Sequence, residues 1–171
     1  MREDDSNVII RVQDREFKAH KSILGARTPV FTSMFKHKMS ENITGVVEID
    51  DCDAIAFGEF LYYLYSGRVE KFSPSTVFNL YKIADKYQVN ELKSYCMEYI
   101  KNNISTDIFC DAIILSVQYE EEELMNLAIK FLSENMTEIM DTEKWQNFLC
   151  EHPSESNKLL LEALKLQKED E

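Results

Sequence analysis

The chain has 171 residues, long enough for one domain or two small ones with a real hydrophobic core. Apolar residues make up 44% and charged residues 29%, which excludes a disordered chain, and the 4 glycines and 3 prolines favour a helix-rich fold. A net charge of -12 excludes non-specific nucleic-acid binding and charge-driven docking on anionic membrane, so the expected partner is protein.

Strand signals crowd the first fifty residues. "VIIRV" (8–12) is β-branched, "QDR" (13–15) breaks it, and "EFKA" (16–19) alternates, which predicts a hairpin. "HKSILGAR" (20–27) reads as a short helix with Ile23 and Leu24 on its apolar side. Thr28 as N-cap and Pro29 at the first helical position open a second helix to Lys38, with Val30, Phe31, Met34 and Phe35 on one face. "VVEI" (46–49) is a strand. Asp53 caps a helix over 54–66, where Phe57, Phe60, Leu61, Leu64 and Tyr65 recur at helical spacing and Gly67 ends it. Ser73 and Pro74 start a helix over 75–89, and Asn90 caps another over 91–103. Only helical periodicity follows, over 105–119, 121–136, 142–152 and 154–167, with short loops that predict antiparallel neighbours. The fold class is therefore α+β followed by an all-α extension.

The residues carry no enzyme signature. GxGxxG, P-loop and GxSxG patterns are absent, and the four glycines are isolated. Asp50, Asp51 and Asp53 read as a solvated turn and a helix cap, not a metal site. His20, at a helix start with no nucleophile fixed beside it, reads as a structural hydrogen-bonder. Cys52, Cys96, Cys110 and Cys150 lack CxxC spacing, so free thiols are expected and no metal or cofactor is. "MREDDSN" has no apolar core of a signal peptide, which predicts an intracellular protein of the nucleus, the cytoplasm or both. The run "YEEEEL" (119–124) reads first as an acidic helical turn and second as a docking patch.

Met39 stands among Lys36, Lys38, Ser40 and Glu41, just past a predicted helix. It either folds back on the core or anchors a partner, and Met is adaptable enough for both. Glu41 is two residues on, a spacing that does not share a helix face, so joint contact with one partner needs a turn or extended segment.

Three ordered motifs carry a family resemblance. "FKAHKSILGARTPVFTSMF" (17–35), "FGEFLYYLYSG" (57–67) and "LYKIADKYQVNELKSYC" (80–96) resemble the BTB/POZ signature. Residues 103–153, with Trp145 and the His152-Pro153 pair, resemble the 3-box and partial BACK region of the MATH-BTB group, to which the speckle-type POZ protein belongs. The resemblance implies a BTB/POZ domain over 6–102 and a helical 3-box and partial BACK region over 103–168. It implies a non-catalytic substrate adaptor of a cullin-3 RING ubiquitin ligase that forms a homodimer and binds the N-terminal domain of cullin-3. In that reading Met39 inserts into a cullin pocket, Glu41 sets the register and Tyr87 completes the surface, while Ile23, Leu24 and Val30 contribute to the dimer face. A second reading is a free-standing interaction module, acting as a transcription co-regulator or as an inhibitor of full-length adaptors.

The chain departs from that family in four places. No apolar helix precedes the first strand, Asp5 stands where an aromatic residue is usual, and Asn7 stands where an Asp is usual. The first and third of these imply a weaker dimer. Residues 1–171 include no MATH domain, so the substrate is not indicated.

Overall fold

The computed structural model describes residues 7–36, 45–70 and 73–169. The chain divides into two compact units, Met1–Glu98 and Tyr99–Glu171. The division falls a little before the boundary expected after residue 102, within a helix.

In the first unit, β1 (Val8–Val12) and β2 (Arg15–Ala19) form the hairpin expected from their alternation. Gln13 takes the turn at φ 53°, and the register runs from Val8 opposite Ala19 to Val12 opposite Arg15. β3 (Val46–Ile49) lies on the other side of β1 and parallel to it, giving the order β2-β1-β3. Val8, Ile10 and Val12 face the core. Arg11 points to the exposed face and spans both neighbours, reaching Glu16 at 2.7 Å and Glu48 at 3.0 Å. A parallel pair needs a crossover, and α1 (Lys21–Arg27) and α2 (Pro29–Lys36) lie within the intervening chain.

Thr28 serves both helices. Its N–H donates to the Leu24 carbonyl at the end of α1, and its Oγ1 accepts from the Phe31 N–H at 3.0 Å at the start of α2. The next three helices are α3 (Ala54–Ser66), α4 (Pro74–Lys86) and α5 (Asn90–Asn102). Asp53 caps α3 by accepting from Ala56 N–H at 2.8 Å, and Ser73 caps α4 from its side chain. Gly67 closes α3 at φ 70°, a conformation in which a Cβ is strained. Ile10, Leu24, Phe31, Phe57, Phe60, Leu80 and Leu92 are sealed from solvent. Each such side chain contributes roughly 1.5–3 kcal/mol by burial.

The second unit is helical. It holds α6 (Phe109–Gln118), α7 (Glu122–Met140), α8 (Glu143–Glu151) and α9 (Pro153–Glu169), with α7 packed against α6 and α9. Its core gathers Phe109, Ala128, Leu132, Trp145, Phe148, Leu159 and Ala163. The Trp145 ring centroid lies 5.8 Å from Phe109 and 5.4 Å from Phe148. Among the described residues no helix is long and apolar enough to cross a membrane.

Several boundaries differ from the sequence expectation, each for a local reason. α4 stops at Lys86, not at 89, because Gln88 turns left-handed at φ 57°. α6 starts at Phe109, not at 105, after a turn in which Ile108 N–H bonds the Ser105 carbonyl. α7 was expected to end at 136 but continues past a kink. Asn135 there leaves helical geometry, and its side-chain amide donates to the Phe131 carbonyl at 2.9 Å. Tyr65, expected inward, is 42% exposed.

Candidate protein-interaction site

α2 ends at Lys36, and Met39 and Glu41 follow it outside the described residues. The elements that hold α2 are described. Phe31 is its fully buried residue, and the Phe31 ring stacks on Phe35 at 5.6 Å and on Tyr87 at 4.8 Å. Tyr87 terminates α4 and also meets Phe60 at 5.2 Å and Phe57 at 6.3 Å. One ring thus joins α2, α3 and the end of α4. Tyr87 is 1% exposed, and burial, with Cys52 and Asp51 nearby, raises its hydroxyl above the ordinary tyrosine range.

This arrangement fixes what Tyr87 can do. With so little accessible surface, its ring packs within the domain, holding α2 against α3 and the end of α4. The surface next to it is ionic: Lys86 Nζ reaches the two Asp51 carboxylate oxygens at 2.6 and 2.8 Å and lies 5.4 Å over the Tyr87 ring. The Lys86 hydrogen bond holds the Asp51 carboxyl below its ordinary range. Both groups are well exposed, so the pair adds little to stability and serves mainly to tie the loop after β3 to the end of α4.

At the other end of the crossover, His20 has the structural role expected of it. Its N–H donates to Tyr65 Oη at 2.9 Å, and its Nδ1 lies 2.9 Å from the same oxygen. That contact explains why Tyr65 turns away from the core. Three thiols are buried and Cys150 is exposed. Burial pushes Cys96 up to about 12 and Cys110 up to about 11, so both stay protonated near neutral pH and are poor nucleophiles.

A family model described as the BTB/POZ domain matches residues 1–104. The chain belongs to the BTB/POZ family. Among solved structures it is similar to the BTB domain of zebrafish PATZ1, with 23% identity over 57% of this chain and 77% of that one and a TM-score of 0.50. That likeness supports the fold: a small three-stranded sheet with helices, followed here by a helical extension. A BTB/POZ domain is a dimerisation and protein-interaction module.

Against this BTB/POZ frame, the residues expected at a dimer face divide. Ile23 and Val30 are half-buried, on α1 and α2, and retain accessible surface. Leu24 is 0% exposed and belongs to the core. The α1–α2 pair is closed by Thr32, whose Oγ1 donates to the Gly25 and Thr28 carbonyls.

One residue noticed only as a departure proves structural. Asn7 Oδ1 accepts from the Lys21 N–H at 2.8 Å, at the start of α1, where the N-cap residue His20 makes no side-chain cap. The amide keeps the acceptor an Asp would supply while removing its charge. No local signal reveals this, because the cap comes from across the hairpin. Asn7→Ala is expected to cost about 1 kcal/mol in urea unfolding, and Asn7→Asp far less. Equal losses in the two variants would show that the acceptor is not what matters.

Proposed function

We propose that the chain is a non-catalytic adaptor of a cullin-3 ubiquitin ligase in the nucleus or cytoplasm, pairing through its BTB/POZ domain and presenting Met39 and Glu41 to the cullin-3 N-terminal domain. The observation that carries this reading is the succession of a BTB/POZ domain and a compact helical unit with α6 and α7 adjacent and packed together. The resemblance of residues 103–153 to a 3-box gives that helix pair a purpose, since a 3-box enlarges the cullin contact. The helix that precedes "MSE" in sequence, α2, is held by Phe31 stacked on Tyr87. Met39 supplies an apolar anchor and Glu41 a polar contact beside it, the division of labour found at the centre of tight interfaces.

Titration calorimetry with the cullin-3 N-terminal domain tests the reading. Met39→Asp or Glu41→Lys is expected to cost on the order of 2 kcal/mol or more of binding while leaving the circular dichroism spectrum unchanged. No binding by the wild type, or equal binding by both variants, would remove the adaptor reading. The BTB/POZ domain would then stand as an interaction module used by a co-regulator or an inhibitor of other adaptors.

A further inference from the structure

The charge of the chain is not evenly spread. Tyr99–Glu171 holds six Lys or Arg and sixteen Asp or Glu, which places -10 of the net -12 in the helical unit. In the same unit a groove of about 270 Å³ opens between the end of α6, the first turns of α7 and the start of α9. Val117, Met125 and Leu159 give it an apolar lining, and Glu155, Lys158 and Glu162 provide the charged groups. Val117 is 46% exposed, unusual for a β-branched apolar side chain beside a cavity. The volume falls below the roughly 300–1,000 Å³ of small-molecule clefts, and it suits side chains of a peptide.

We infer that this groove receives a basic amphipathic helix of a partner protein, seating one apolar side chain between flanking cations. Glu155 and Glu162 lie seven residues apart on α9, about 10 Å along the axis at 1.5 Å per residue. A bound helix with basic residues at i and i+7 matches that spacing and turns the residue at i+3 or i+4 to the same face. Met125 adapts its shape to such an anchor. Lys158, between the two glutamates, repels a cation placed centrally, which selects an apolar residue there. The acidic run over 119–124, just before Met125 in sequence, adds to the negative charge of the same unit. Nucleic acid and anionic membrane are repelled by the same charge.

A fluorescent amphipathic helical peptide of leucine and lysine, titrated into the full chain and read by anisotropy, tests the inference. It is expected to bind, to weaken as salt rises, and to bind about ten-fold or more weakly to Val117→Asp and to Glu162→Lys. Val117 is exposed and Glu162 half-buried, and unchanged circular dichroism would certify the folds. Undiminished binding to Met39→Asp would separate this groove from the proposed cullin contact. Three results would each overturn the inference: no binding by the wild type, equal binding by both groove variants, or equal binding of a peptide with its leucines scattered around the helix. The last would reveal attraction to the acidic unit alone.

Discussion

Replacing Tyr87 with alanine is expected to destabilise the BTB/POZ domain by about 3–5 kcal/mol, measured from urea unfolding followed by circular dichroism. Domains of this size are held by only about 5–15 kcal/mol, so the loss is a large fraction of the total. The reason is the position of the ring. Tyr87 stacks on Phe31 at 4.8 Å and meets Phe60 at 5.2 Å, so its removal leaves a cavity bordered by α2 and α3 together. Large rings around such a cavity collapse into it poorly. Tyr87→Phe keeps the stack and loses only the hydroxyl, so it is expected to cost about 1 kcal/mol or less. The pair of variants also distinguishes support from contact. On the proposed adaptor reading, with Tyr87 holding α2 and not touching the partner, Tyr87→Phe is expected to bind the cullin-3 N-terminal domain as the wild type does. A loss below about 1 kcal/mol in Tyr87→Ala would show that the stack is not what holds α2.

The ring partners of Tyr87 mark the limit of what periodicity reveals. Strands 8–12 and 46–49 were legible because β-branched residues there are bounded by turn residues, and each helix start with a Thr, Asp or Ser cap was legible because the cap acts within three residues. Thr28, Asp53, Ser73 and Thr142 all accept from the backbone N–H three positions on. Effects across longer separations were not legible. That β3 runs parallel to β1 depends on how the chain crosses back, not on either strand. Tyr87 lies at helical spacing from the buried Leu80 and Ala84, but the rings it meets come from positions 31, 57 and 60, which no local pattern names. The Asn7 cap and the Asp51–Lys86 pair likewise join residues far apart in sequence. Even the Asn135 kink shows the same division: the sequence signals an interruption near 136, but only the tertiary packing decides that the helix resumes and runs to Met140.

Trp145→Ala is expected to have an effect of similar size, about 3–5 kcal/mol, confined to the helical unit. Trp145 is 0% exposed, lies between Phe109 and Phe148, and is the single tryptophan of the chain. Its backbone is set by Thr142, whose Oγ1 accepts the Trp145 N–H at 3.2 Å. The indole Nε1, however, is buried with no hydrogen-bond partner among the described residues. An unpaired buried donor costs roughly 1–3 kcal/mol. Two opposing terms therefore meet in Trp145→Phe: a smaller ring leaves a partial cavity, and the unpaired donor disappears. The net cost is expected to be well under half that of Trp145→Ala, with the urea m-value unchanged in both variants. A Trp145→Phe cost as large as that of Trp145→Ala would mean that the donor is satisfied in solution and that the indole is held by more than its shape. Because no other tryptophan is present, wild-type fluorescence reports unfolding of the helical unit. Setting it beside the circular dichroism transition of the Tyr87 variants assigns each loss to the unit in which its ring is packed.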